Sequence, residues 1–161
     1  MQNIIPFLWF DDKAEEAVNL YVSLFKNSKV KGIARYSEEA SAAAGRPAGT
    51  VMTVEFELNG QPFMALNGGP HFKFTEAVSL MVNCETQHEI DEFWEKLSEG
   101  GQTSQCGWLK DKYGLSWQVV PTVLGQMMKD GDPQKSKRVM EAMLKMTKMD
   151  IALLQKAYDG N

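Results

Sequence analysis

Cys106-Gly-Trp-Leu-Lys-Asp-Lys-Tyr-Gly-Leu-Ser-Trp-Gln-Val-Val-Pro121 reads as strand, tight turn, strand. Asp111 to Gly114 carries the turn: short polar residues, then a glycine that tolerates positive φ. The predicted strands are 103–109 and 115–120. Side chains alternate along a strand, so Cys106, Trp108 and Lys110 are expected to share one face. The same parity puts Trp117 and Gln118 on opposite faces.

Upstream, the chain shows one pattern twice. Ile4 to Phe10 is a short apolar run, read as a buried strand. Asp11-Asp12 offers an N-cap for a helix in which Ala14, Ala17, Val18, Tyr21, Leu24 and Phe25 recur at helical spacing. Lys29 to Tyr36 is a candidate strand, and Ser37 to Gly49, rich in Ser, Ala and Gly, is read as a mobile loop. Thr50 to Leu58 alternates: Met52, Val54, Phe56 and Leu58 on one side, Thr53, Glu55 and Glu57 on the other. Asn59-Gly60 is a hairpin signal, and residues 61–67 return as its second strand.

The second copy begins with an apolar strand at 78–84. Thr86 and Glu89 form a capping box for a helix that buries Ile90, Phe93, Trp94 and Leu97. Gly100-Gly101 ends that helix. The offset between the copies is about 73 or 74 residues, the signature of an internal duplication. A helical tail follows, with Asp132-Pro133 and Asp150 as helix starts. Six of its residues are methionines, whose plain reading is helix packing.

The totals are those of a soluble globular chain. Of 161 residues, 43% are apolar and 24% charged, with a net charge of −4. The acidity argues against a nucleic-acid partner. No apolar run reaches the roughly 18 residues of a membrane span, and no secretory signal is expected. Cys84 and Cys106 are then expected to be free thiols in a reducing cytoplasm.

Several segments together resemble a known family. They are Pro6-Phe-Leu-Trp-Phe-Asp11, Ala14-Glu-Glu-Ala17 with Leu20-Tyr21, Phe63-Met-Ala-Leu-Asn-Gly-Gly-Pro70, the opening stretch, and Arg138-Val-Met-Glu-Ala-Met-Leu144. The repeated unit resembles the vicinal oxygen chelate superfamily (glyoxalase I, fosfomycin and bleomycin resistance proteins, extradiol dioxygenases). More narrowly the segments look like its PhnB-like branch, often labelled 3-demethylubiquinone-9 3-methyltransferase. The resemblance implies an α+β fold: two repeated βαβββ units pairing into a cup-shaped mixed sheet, with a helical C-terminal tail. The expected organisation is one domain, with units at 1–73 and 74–120 and the tail at 121–161. It also implies a homodimer with a small organic ligand in the cup.

Metal-using relatives end their last strand on a glutamate ligand. The matching stretch here, Asp111-Lys-Tyr-Gly-Leu-Ser-Trp-Gln118, ends on Gln118. The other ligand positions fall at Ile4 or Ile5, at Ser79 or Leu80, and at Met64 or Leu66. A divalent ion needs about three anionic or imidazole donors. The expectation is therefore no metal and no other cofactor.

Candidate catalytic residues are Cys106, whose thiolate a nearby Lys110 could stabilise, and Glu55, a general base if burial raises its pKa. Candidate ligand contacts are Phe7, Trp9, Met64, Asn67, His71, Ser79, Trp108 and Gln118. No glycine-rich strand-to-helix turn marks a bound S-adenosylmethionine: Gly68-Gly69 runs into Pro70 and Gly100-Gly101 follows a helix. Three readings stay open: a metal-free ligand-binding protein of unknown reaction, a methyltransferase as the family label says, and a protein that sequesters a small molecule.

Overall fold

The structure, a computed structural model, describes residues 2–161. The chain divides into two compact units, one ending at Phe74 and the other spanning Thr75–Asn161.

The first unit runs β1 (Phe7–Phe10), α1 (Ala14–Leu24), β2 (Lys29–Arg35), α2 (Glu38–Ala44), β3 (Val51–Leu58) and β4 (Gln61–Asn67). Its strands form one sheet in the order β1-β4-β3-β2, with β1 parallel to β4 and the other pairs antiparallel. The alternation seen in the sequence sorts the two faces. Leu8, Phe10, Val54, Phe56, Leu58, Phe63 and Ala65 are buried on one face, with Ala14, Ala17, Val18 and Tyr21 of α1. Phe56 and Phe63 stack with ring centroids 5.3 Å apart. Each large side chain removed from water in this way contributes about 1.5–3 kcal/mol.

The second unit repeats the wiring: β5 (Ser79–Cys84), α3 (Gln87–Ser98), β6 (Gln102–Thr103), β7 (Trp108–Lys110) and β8 (Ser116–Pro121), in the order β5-β8-β7-β6. Again the first strand is parallel to the last. Val82, Cys84, Leu109, Trp117 and Val119 are buried on the face that receives Ile90 and Leu97 of α3. The Thr86–Glu89 capping box forms as expected.

The tail belongs to this second unit. It contains α4 (Thr122–Met128), α5 (Pro133–Met143) and α6 (Ile151–Asp159). Asp132 and Asp150 cap α5 and α6 through their side chains. Arg138 ties α5 to the end of α6, donating to the carbonyls of Ala157 and Tyr158 at 2.8 Å each. Gln87 of α3 clamps the segment before α6, donating to the Met149 carbonyl at 3.0 Å and accepting from the Ile151 amide at 2.9 Å. Met127, Met146 and Met149 are buried. Met140 and Leu144 of the same segment are exposed. No helix among the described residues is long and apolar enough to cross a membrane.

Three local expectations are corrected. Residues 38–44 form α2, because Ser37 caps it by accepting from the Ala40 amide and Gly45 closes it in the left-handed region. The start of α1 is not capped by Asp11 or Asp12; its N-cap is Lys13, without a side-chain bond. The Ala14 amide instead donates to Asn67 Oδ1 at 2.8 Å, from the end of β4.

The third correction concerns Cys106. The strand expected over 103–109 is broken into β6 and β7 by a turn, in which the Trp108 amide donates to the Gln105 carbonyl at 3.1 Å. Cys106 and Gly107 both have positive φ, 57° and 81°, the pattern of a type I′ turn. Their amides donate to Met146 and Thr147 of the tail, each at 2.8 Å. The tail thus completes the hairpin's backbone hydrogen bonding from 40 residues away.

Candidate functional site

The expected contact residues fall into sets by unit. In the first unit, Phe7 and Trp9 of β1, Met64 of β4 and Glu55 of β3 lie on the sheet face opposite α1, with Phe7 level with Met64 and Met64 level with Glu55. Glu55 is exposed there. Its neighbour Glu57 is bridged by Lys29 and Lys31, at 3.8 and 3.4 Å.

Trp9 is held by the loop after β4. Its indole N–H donates to the Gly69 carbonyl at 2.9 Å. The Phe72 ring meets it edge-on at 4.9 Å. Gly68 lies so close that a Cβ there would fall 2.2 Å from the indole. His71 follows in the same loop and is exposed.

Asn67 is on the other face and is 5% exposed. Its side chain accepts from Ala14 and donates to the Val51 carbonyl at 3.1 Å, while its own carbonyl accepts from the Tyr36 hydroxyl at 2.5 Å. These bonds tie α1, β3 and β4 together; the side chain is spent on the fold.

In the second unit, Ser79, Trp108, Lys110 and Gln118 share the face opposite α3. Trp108 is level with Gln118 and Lys110 with Ser116; Ser79 lies beside Ser116 across the parallel pair. The Gln118 amide donates to the Ser79 hydroxyl at 2.9 Å. A cavity of about 220 Å³ opens on this side, lined by Trp108, Lys110, Ser116, Ser104, Thr103 and Glu76 among others. The Lys110 ammonium pairs with the Glu76 carboxylate. That hydrogen bond, ahead of backbone bonding and simple charge attraction, holds the Glu76 carboxyl below its ordinary range.

Ser116 is the unusual member. It is 1% exposed, and among the described residues its hydroxyl has no hydrogen-bond partner. A buried unpaired hydroxyl costs about 1–3 kcal/mol, so it marks a place where a partner is wanted. Sequence reasoning missed it, although it has the strand parity of Gln118 and so was findable. Glu76 carried no local signal, because only tertiary folding brings it to Lys110.

The expected Cys106–Trp108–Lys110 face does not form. The turn points the Cys106 thiol to the Met143 carbonyl at 3.5 Å, and the Lys110 ammonium goes to Glu76. The two cysteines differ sharply. Burial, helped by the Glu89 charge, pushes the Cys84 thiol from 9.0 up to about 11. At pH 8 about one Cys84 in a thousand is ionised in the folded protein. Iodoacetamide at that pH should therefore modify the less buried Cys106 at least about tenfold faster than Cys84, read by peptide mass spectrometry. Equal rates would contradict this picture of Cys84. Because folding raises the Cys84 pKa, its contribution to stability is complete below pH 9.0 and is lost as pH rises towards 11.

The donors around Gln118 are the Ser79 hydroxyl, the Met81 thioether and the Trp108 indole. An amide, a hydroxyl, a thioether and an indole do not fit a divalent ion. Among the described residues no three His, Cys, Asp or Glu side chains come together.

Two βαβββ units with the same strand order define a member of the vicinal oxygen chelate superfamily. Solved structures agree on the fold. The fosfomycin resistance protein FosX of Listeria monocytogenes, in a complex with Mn(II) and a dihydroxypropylphosphonic acid, is 12% identical. It matches over 80% of this chain and 99% of its own, with a TM-score of 0.56. A Pseudomonas aeruginosa protein is 18% identical over 75% of this chain and 98% of its own, with a TM-score of 0.60.

The model of the 3-demethylubiquinone-9 3-methyltransferase family matches residues 2–120. A PhnB protein from Bacillus cereus whose description carries the same label is 42% identical. It covers 75% of this chain and 100% of its own, with a TM-score of 0.67. The chain belongs to this PhnB-like family. A search of curated proteins gave no match. The family match stops at 120, so α4–α6, including the carbonyls that hold the Cys106 turn, lie beyond it.

Proposed function

We propose that this chain binds a small organic molecule in the cavity over Trp108, Lys110 and Ser116, without a metal centre. The observation that carries the reading is the Ser116 hydroxyl, buried in the cavity floor with no partner among the described residues. Folding does not select a buried orphan for stability; a ligand that bonds to it repays the loss. The neighbouring groups suit a small, partly flat molecule: an indole to lie against, a cation and several hydroxyls. Binding by a second copy of the chain and residence in a reducing cytoplasm complete the reading. The PhnB-like resemblance and the two free cysteines support these.

The methyl transfer named in the family label finds little support in the glycines. Gly68 packs on the Trp9 indole, the Gly69 carbonyl accepts from the indole N–H, and Gly101 packs against the backbone of Lys110 and Asp111. Both glycine pairs have packing roles, and neither opens a helix.

The test is a nitrogen-15 NMR screen of the whole chain against small aromatic and aliphatic compounds. Binders are expected to shift the Trp108 indole and the amides of Lys110 and Ser116. A screen whose shifts never include these three groups would sink the reading.

A further inference from the structure

The cavity also holds a clue to the charge of its ligand, an inference that rests on the binding reading above. We propose that the site takes a small flat molecule ending in a carboxylate, and that Glu76 occupies the place of that carboxylate in the free protein. Lys110 is the cation of the cavity wall, and its Nζ is paired with Glu76. Glu76 comes from the segment before β5 and its side chain is 60% exposed, so it is easily displaced. Ser116 lies directly across the strand pair from Lys110. A carboxylate bonded to Lys110 through one oxygen could accept from the Ser116 hydroxyl through the other. Glu76 does not do this: its ion pair leaves Ser116 unpartnered. A ligand carboxylate would thus satisfy two groups where Glu76 satisfies one.

The single lysine favours a monoanion. A phosphate dianion would keep one charge without a counterion in the cavity, with Glu76 repelling it nearby. The Trp108 ring in the same wall supplies a surface for a flat body.

The test uses the whole chain with four probes: benzoate, benzamide, benzylamine and inorganic phosphate. Binding is followed by shifts of the Trp108, Lys110 and Ser116 signals. Benzoate should bind at least about tenfold more tightly than benzamide, and phosphate more weakly than benzoate. E76Q should strengthen benzoate binding about tenfold by removing the competitor and its repulsion. K110M should abolish the preference for benzoate over benzamide, and S116A should weaken benzoate with little effect on benzamide. Glu76 is exposed, so E76Q tests the proposal even where K110M fails to fold. Unchanged benzoate affinity in E76Q, or equal affinity for benzoate and benzamide, would overturn it. Benzamide or benzylamine shifting the three signals while benzoate does not would overturn the carboxylate but keep the binding site. Silence from all four probes would count against both.

Discussion

Replacing Gly107 with alanine should lower the unfolding free energy by about 3–5 kcal/mol, while the same change at Gly114 should cost only about 1–2 kcal/mol. Both glycines have positive φ, 81° and 87°. Each alanine therefore carries the penalty of the left-handed region. They differ in space. A Cβ on Gly107 would sit 2.5 Å from the Val119 carbonyl oxygen and 3.2 Å from Met149 Cγ; one on Gly114 meets nothing within 4 Å. The Val119 carbonyl belongs to the central strand pair and cannot retreat cheaply. The Gly107 amide is also bonded to Thr147, and its carbonyl accepts from the Val119 amide at 2.8 Å. Shifting this one residue disturbs β8 and the tail together. Urea unfolding followed by tryptophan fluorescence measures both variants. Equal losses would mean that φ alone matters and that the close packing of the turn on β8 is wrong.

That contrast also shows where the sequence can and cannot be read. Thr86 with Glu89, Asp132 with Pro133 and Asp150 are legible because the cap and the amide it serves lie within four residues. The alternation at 53–58 is legible because one pleated strand displays it. The α1 cap is not legible: the side chain that serves Ala14 is Asn67, which arrives only after the sheet has formed. The Cys106 turn is hidden for the same reason, since its amides find their acceptors at Met146 and Thr147. A run without proline between two polar ends then reads as one strand. Residues 38–44 are a different case. Ser37 and three consecutive alanines carried a helix signal, and small-residue composition obscured it. In the site, strand parity was enough to place Trp108 and Lys110 on one face; that Gln118 shares it follows from the hairpin register, which the sequence does not show. Ser116 shared that parity but lacked a side chain conspicuous enough to be noticed. The ion pair that fills the cavity needed the third dimension.

The Asp111-Lys-Tyr-Gly114 turn bears on the second large effect. Asp111 is 3% exposed, and the donors to its carboxylate include the amides of Tyr113 and Leu115, at 2.9 and 3.1 Å, and the Trp117 indole at 2.9 Å. The residue that starts the turn also anchors the largest fully buried side chain of the core. Replacing it with alanine leaves these donors unpaired in a buried place, at about 1–3 kcal/mol each where water cannot reach. The expected loss for D111A is about 3–5 kcal/mol in urea unfolding. Asparagine keeps the shape and one acceptor oxygen but turns an N–H toward one of the donors, so D111N should fall between the two. The sharper check is a double-mutant cycle with Trp117→Phe, which removes the indole donor and keeps an aromatic ring. If Asp111 works partly through Trp117, the double variant should be more stable than the sum of the single losses predicts, by about 1–2 kcal/mol. Strict additivity would separate turn from core. It would show that the turn bonds from Tyr113 and Leu115 stabilise the hairpin independently of the Trp117 indole.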